Sequence, residues 1–388
     1  MNDTTQKSQR ILALDILRGI TIAGMILVNN PGLPWPDVFT PLEHAEWIGL
    51  TPTDFVFPFF MFIMGITTYL SLRKFNFSWS WPCARKIVKR ALLIWFIGLT
   101  ISWLLTFVIG MGSKANEALA LWPRICASAD TLSHLRILGV LPRLGICYGL
   151  TAVLAVSMKH SWLPWLAAGI FVAYAFILET GNGYAHDASN ILAIVDDAVL
   201  GHNHCYTYDT PDPEGLLSTL PALAHVLIGF CVGEAVMRLK NLDAQIERLF
   251  LIGTVLLVAG FLLSYGCPIS KKLWTPTFSL VTCGFASLLL GLFTWMIDKR
   301  GWKGHATEFF RVFGVNPLAL YVLSDLLLIP LALIHTGDGT TVHKLVCNDF
   351  FLTFMAPKVA SLGWAIIYVL LNWLVGLWLY KKKIFIKL

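Results

Sequence analysis

Apolar runs of about 20 residues recur from one end of the chain to the other, and that is the length an α-helix needs to cross a bilayer. Ten runs are read, at approximately 11–32, 54–72, 87–110, 138–158, 161–178, 216–237, 248–266, 276–297, 311–334 and 359–380. In hydrocarbon every backbone N–H and C=O must be satisfied within the segment, so such runs fold as helices. A membrane β-barrel would instead show alternating segments of about 10 residues. Composition points the same way: 56% of the 388 residues are hydrophobic, 13% are charged, and the mean hydropathy is +0.69. The expectation is an all-α, polytopic membrane bundle of about ten helices, forming one domain over residues 1–388. Lys159, His160 and Pro164 separate the fourth and fifth runs into a hairpin. The first run has no small-residue cleavage site and is read as retained in the mature chain.

Basic residues set the expected orientation. Arg73, Lys74, Arg85, Lys86, Lys89, Arg90, Lys159, Arg238, Lys240, Arg248, Lys299, Arg300, Lys303 and Arg311 fall in alternate loops, with Lys7 and Arg10 before the first run and Lys381, Lys382, Lys383 and Lys387 after the last. The opposite loops carry fewer: Lys114, Arg124, Arg136, Lys271, Lys272, Lys344 and Lys358. The positive-inside rule therefore places both termini in the cytoplasm. The net charge of +6 is a topology signal and not a nucleic-acid footprint.

The expected outer face has a long loop, residues 179–214, that holds no Lys or Arg. It carries Asp187, Asp196, Asp197, Asp209 and Asp212 with His186, His202 and His204. "GHNHCYTYD" contains ligand types in His202, His204 and Cys205, but their spacing fits no standard zinc pattern. The expectation is a polar, solvated cap that orients on neighbouring helices, with no metal. Cys126, Cys205, Cys267 and Cys347 all fall in outer loops, so one or two disulfides are open. Cys147, Cys231 and Cys283 lie in spans and read as packing residues. No Asn-x-Ser/Thr acceptor falls in an outer loop, which favours a bacterial inner membrane over a glycosylated compartment.

Polar side chains inside spans are costly and mark function by default. Asp15 and Arg18 are three apart on one face of the first helix, as a packing ion pair or as substrate ligands. Asn29 and Asn30 end that helix, where they either stop it or grip a polar substrate. In "HAEWIGLTPTDFVFPFFMFIMG", Thr51, Pro52 and Asp54 read as a capping box with proline at the first helical position. His44, Glu43, Glu46, Trp47, Asp54, Asn29 and Asn30 then share one mouth, a set suited to acid–base chemistry at neutral pH. On the opposite side "RKIVKR", Arg85 to Arg90, satisfies the topology rule and also suits phosphate groups.

"LDILRGITIAGMILVNNPG", "HAEWIGLTPTDFVFPFFMFIMG" and "RILGVLPRLGICYGL" resemble, in order and spacing, the heparan-α-glucosaminide N-acetyltransferase family, and "GVNPLALYVL" resembles its late-helix Asn motif. The resemblance implies transfer of an acetyl group from cytoplasmic acetyl-CoA to the amine of glucosamine or a terminal glucosaminide on the far side. It implies His44 as the catalytic histidine and Asn29 as its neighbouring asparagine. It carries Asp15, Arg143 and Asn316 over as further site residues. The family's lysosomal members have an additional luminal N-terminal region that is absent here, so a free amino sugar or short oligosaccharide is the expected acceptor.

The chemistry of the residues fits that implication. A neutral imidazole at His44 takes the proton of the sugar ammonium, or is itself acetylated, and Asp54 belongs to the same catalytic set. Asn29 is the expected oxyanion donor. Asn30, Trp47 and Glu46 join Asp15, Arg18, Arg143 and Asn316 as expected substrate ligands, and Arg85, Lys86, Lys89 and Arg90 as CoA ligands. Acetyl-CoA, the acceptor sugar and the bilayer are the expected partners; a homodimer stays open. Two alternatives also stay open: an amino-sugar transporter using midplane polar residues, and a membrane O-acetyltransferase of cell-wall or lipid-linked sugars.

Overall fold

The computed structural model describes residues 11–112, 119–206, 210–333 and 341–386. Lys7, Arg10, Lys114, Asp209 and Lys387 of the charge pattern lie outside them. The fold is all-helical. Its elements are α1 (Leu12–Asn29), α2 (Val56–Leu72), α3 (Trp81–Gly112), α4 (Leu121–Ala129), α5 (Val140–Ser157), α6 (Leu163–Thr180), α7 (Ile191–Leu200), α8 (Thr219–Met237), α9 (Leu242–Leu263), α10 (Pro276–Phe293), α11 (His305–Val315), α12 (Pro317–Leu333) and α13 (Pro357–Lys381). Nine helices among the described residues are long and apolar enough to span, and a bent pair brings the number to ten.

Most spans fall where the hydropathy put them, and three differ. α3 begins at Trp81 because its basic first turns wind on from the apolar run. α9 begins at Leu242 because the Asn241 side chain accepts from Asp243 N and starts the helix there. The ninth run is not one helix: α11 and α12 meet at Asn316 with a bend of 82°. Pro317 supplies the reason, since a residue before proline is disfavoured in the α region; Asn316 has φ −125° and ψ 53°.

α8 is the most buried span and packs on α2, α5, α6, α9 and α10. Its contact with α2 depends on two glycines. A Cβ on Gly65 would lie 2.3 Å from Val226 O, and one on Gly229 would lie 2.3 Å from Phe62 O. Small residues let membrane helices approach this closely, where dispersion and not the hydrophobic effect holds them. α1 and α11 meet by the same device at Gly19 and Gly314.

Alternate loops define two ends. The basic end carries the start of α1, α3 and α6 and the close of α13. The mouth end carries the close of α1, the start of α2, the 135–139 loop before α5, the described parts of the stretch between α6 and α8 (181–206 and 210–218), and the 264–275 loop.

Candidate active site

The chain from Pro31 to Leu50 folds over the mouth end. Gly32 N and Leu33 N bond Ser361 of α13, at its O and its Oγ respectively. Further on, Gly49 N donates to Ile269 O at 2.8 Å and Ser270 Oγ donates to Trp47 O at 2.6 Å. These two bonds fasten the histidine-bearing loop to the loop before α10.

Asp54 closes a 3₁₀ turn, Pro52–Phe55, that leads into α2. The capping box expected of Thr51 and Asp54 is present. Asp54 is completely buried, and its Oδ2 accepts from Thr51 N at 3.0 Å, Thr51 Oγ1 at 3.0 Å and Ala45 N at 3.1 Å. Its Oδ1 lies 2.7 Å from His44 Nδ1. A carboxylate only accepts, so His44 Nδ1 carries the proton and Nε2 keeps its lone pair. The capping carboxylate thus also fixes the tautomer of the histidine. The His44 side chain is 44% exposed, so Nε2 is open to a reactant.

A lysine completes the group. Lys271 Nζ lies 3.0 Å from His44 Nε2, 3.0 Å from Nδ1 and 3.8 Å from Asp54 Oδ1. Equal distances to the two ring nitrogens place the ammonium over the face of the imidazole, beside Nε2 and off its in-plane lone-pair axis, which stays open. Burial pulls the Lys271 ammonium below the usual lysine range and Lys272 adds to this, while Glu214 and Asp54 oppose it. Burial would raise the Glu214 carboxyl, but Arg136, Arg143 and Lys271 outweigh it and hold the group low.

Glu214 is placed by a network on the loop after α7. Arg136 donates from Nη2 to Glu214 Oε2 at 2.6 Å, from Nε to Asp212 Oδ2 at 3.0 Å, and from Nη2 to Asp212 Oδ1. Arg143 is fully buried; its Nη2 donates to Gly215 O at 3.0 Å and to Ser218 Oγ. Its Nε and Nη1 have no hydrogen-bond partner among the described residues, and the guanidinium lies 5.2 Å from the Trp274 ring centroid.

The described part of the long mouth-end stretch, residues 179–206 and 210–214, is therefore a folded cap more than a solvated one. Asn190 caps α7, and the buried Asp196 accepts from Leu216 N at 2.7 Å. Burial raises the Asp196 carboxyl to about 6. His204 Nδ1 lies 2.7 Å from Leu135 O and His202 Nδ1 lies 3.3 Å from Asp197 Oδ1, so the two rings are used separately. Among the described residues no three His, Cys, Asp and Glu side chains converge on a point that would hold a metal. The disulfides left open by the sequence do not form: all eight cysteines are free, with Cys126 exposed, Cys205 and Cys267 half-buried, and Cys347 buried where Gly32 passes.

The other expected residues separate. Asn29 ends α1 with its side chain exposed, whereas Asn30 folds its amide back onto Ile26 O at 2.7 Å. Glu46 is exposed. Trp47 donates from Nε1 to Tyr184 O at 2.8 Å, and its ring is stacked by His186 at 4.2 Å. Asp15, Arg18 and Asn316 lie toward the basic end. Arg18 Nη2 donates to Asp15 Oδ1 at 2.6 Å and Nε to Gly314 O at 2.8 Å, pinning α11 to α1. Asn316 bonds Ile384 O and Ile386 N, each at 2.9 Å, and holds the tail after α13.

In the Arg85–Arg90 group, Arg85 and Lys89 are exposed. Lys86 turns inward to Ser71 Oγ at 2.7 Å, and Arg90 sits 4.5 Å from the Tyr148 ring. A cavity of about 900 Å³ also opens toward the basic end, between α6, α8 and α9, past Lys159, His160, Glu234 and Arg238.

Sequence reasoning passed over Lys271, Glu214 and Arg136 as residues of this mouth. Two of them were visible as cations on the side where the positive-inside rule expects few, which is the signal that would have found them.

The fold and this mouth define a polytopic helical membrane protein with a histidine–carboxylate pair, a neighbouring lysine and an open imidazole nitrogen. A family model described as heparan-alpha-glucosaminide N-acetyltransferase, catalytic, matches residues 10–266. The chain belongs to that family. It is similar to heparan-alpha-glucosaminide N-acetyltransferase of Mus musculus, 26% identical over 387 residues covering 82% of this chain and 54% of the relative. It is also similar to that of Homo sapiens, 25% identical over 375 residues covering 81% of this chain and 52% of the relative. The chain spans about half the length of these curated relatives.

Proposed function

We propose that the chain transfers an acetyl group from cytoplasmic acetyl-CoA to the amine of glucosamine, or of a short glucosaminide, at the mouth end. The observation that carries the reading is the His44–Asp54 pair at 2.7 Å, with Nε2 left available, inside the segment that matches the family. A sugar ammonium has no lone pair and cannot attack a thioester. His44 Nε2 takes its proton, and Asp54 stabilises the imidazolium that forms. In the alternative course, Nε2 attacks the thioester itself and the sugar amine then attacks acetyl-histidine. Either way a tetrahedral oxyanion develops, and the exposed Asn29 amide is the proposed donor.

The remaining residues take narrower roles in this reading. Trp47, its ring stacked by His186 and its N–H engaged, positions the histidine loop and does not clamp a sugar. Glu46 stays at the rim. Asn30 terminates α1. Arg143 supports the cap through Gly215 and Ser218. Asp15, Arg18 and Asn316 set how α11 and the tail after α13 pack. On the basic end, Arg85 and Lys89 are the proposed CoA-phosphate ligands, because Lys86 and Arg90 are turned into the bundle. The membrane is proposed to be a bacterial inner membrane.

Purified protein given isotopically labelled acetyl-CoA and glucosamine should yield labelled N-acetylglucosamine and free CoA. Movement of sugar across vesicles without thioester cleavage would indicate a transporter instead. Acetylation of sugars that lack a free amine would indicate an O-acetyltransferase.

A further inference from the structure

Lys271 Nζ, itself a primary amine, lies 3.0 Å from both ring nitrogens of His44, beside the open Nε2 to which an acceptor amine must come. We infer that Lys271 is a self-acetylation site of this chain: when acetyl donor is present and acceptor is not, its ε-amine takes the acetyl group. The inference rests on the reading that acetyl-CoA delivers its thioester to His44.

Geometry supports this in three ways. First, Lys271 is held in place: Gly49 N to Ile269 O and Ser270 Oγ to Trp47 O lock the residues just before it to the residues just after His44. Second, the same base serves both amines, because Nε2 is the acceptor nearest to Nζ, with Asp54 Oδ1 behind it at 3.8 Å. Third, the side chain is only 14% exposed, so the ammonium is poorly hydrated and more readily gives up a proton than a surface lysine. Lys272 is the internal comparison: among the described residues no polar contact joins it to His44 or Asp54.

The step balances without a further reagent. Lys271 Nζ passes one proton to His44 Nε2, which later releases it to solvent. The freed lone pair attacks the thioester carbonyl and a new N–C bond forms. The tetrahedral intermediate collapses with cleavage of the C–S bond. The second proton lost from nitrogen ends on the departing thiolate, giving free CoA. The product is a neutral amide beside His44. It removes the cation and places an acetyl group where the acceptor amine would sit, so the modified enzyme should transfer poorly. Acceptor sugar should protect, since it competes for both the proton and the acetyl group.

The test uses the full chain in detergent or nanodiscs, incubated with acetyl-CoA without sugar, then treated with hydroxylamine and mapped by peptide mass spectrometry. Hydroxylamine removes acetyl from imidazole and leaves an amide intact. The expected result is one acetyl group on Lys271, several-fold above Lys272, suppressed by glucosamine and lost in His44→Ala and in Lys271→Arg. Thermal melts of both variants establish that they are folded. Acetylation of Lys271 no faster than of Lys272, or unchanged in His44→Ala, would sink the inference. Label on His44 that hydroxylamine removes, with none on Lys271, would do the same. The same preparation is assayed with glucosamine. Sugar acetylation in that arm, with no acetyl-Lys271 in the sugar-free arm, overturns this inference alone, and failure of both overturns it together with the proposed function.

Discussion

Asp54 joins a capping role to the catalytic role proposed for it, and two substitutions separate them. In Asp54→Asn the amide oxygen still accepts from Thr51 N and Ala45 N, now 3.0 and 3.1 Å from Oδ2. The amide nitrogen then meets His44, where Oδ1 accepts from Nδ1 at 2.7 Å. Two donors cannot share that line, so the ring takes the other tautomer and Nε2 carries the hydrogen. The base lone pair is lost from the side where a reactant approaches. A drop in turnover of roughly two to four powers of ten follows, the size seen when a histidine loses its orienting carboxylate. That is about 3–5 kcal/mol of transition-state stabilisation. Stability should fall less, by about 1–2 kcal/mol, because charge-assisted hydrogen bonds become neutral ones but remain made.

Asp54→Ala removes the acceptor altogether. Thr51 N and Ala45 N are then stranded at about 1–3 kcal/mol each, so melting temperature and turnover should both collapse. N-acetylglucosamine formation and thermal unfolding of the two proteins in the same detergent give both quantities. Near wild-type turnover by Asp54→Asn would show that Asp54 is a cap only and that His44 does not depend on it.

Further outcomes are expected elsewhere. His44→Ala should fold normally and lose transfer by roughly two to four powers of ten; a burst of free CoA from wild type without acceptor marks the acetyl-histidine course, which Lys271→Arg protein distinguishes from lysine acetylation. Asp15→Asn should cost roughly 3 kcal/mol through the arginine it leaves behind, and adding Arg18→Gln should restore part of the loss; strictly additive effects in unfolding experiments would deny the coupling. Arg85→Glu with Lys89→Glu should raise KM for acetyl-CoA about tenfold, or about 1.4 kcal/mol, with kcat unchanged; if Lys159→Glu with Arg238→Glu does so instead, the phosphates bind at the cavity between α6, α8 and α9. Asp196, at about 6 in the folded chain against 3.8 ordinarily, binds its proton more tightly when folded, so the stability it contributes is full below the ordinary value and lost as pH rises through about 6. Asp196→Asn should therefore melt increasingly above wild type between pH 4 and pH 7, by up to about 3 kcal/mol; a constant offset across that range would refute the assignment.

Much of this protein is written in local pattern. Hydropathy with a period of about one span marks nearly every membrane helix, because a helix in lipid must satisfy its own backbone and needs no distant partner to form. The Thr51–Asp54 box, the Asp15–Arg18 pair and the hairpin at Lys159–Pro164 are equally local, since each involves residues within one or two turns. His44 stood out because it precedes that box, and the capping loop returns it to Asp54 across only ten positions.

Tertiary structure alone decided the rest. Lys271 meets His44 across 227 positions, through loops whose sequences carry no mark of each other. Arg136 reaches Glu214 across 78 positions by the same route. The ninth span reads as one apolar run, yet it bends 82° at Asn316, where Pro317 and the tail after α13 act together. Trp47 looks free until His186 closes on its ring. Hydropathy reports whether a segment prefers lipid to water, and it is blind to which loops the packed helices bring face to face. That packing puts the Lys271 amine beside the His44 imidazole.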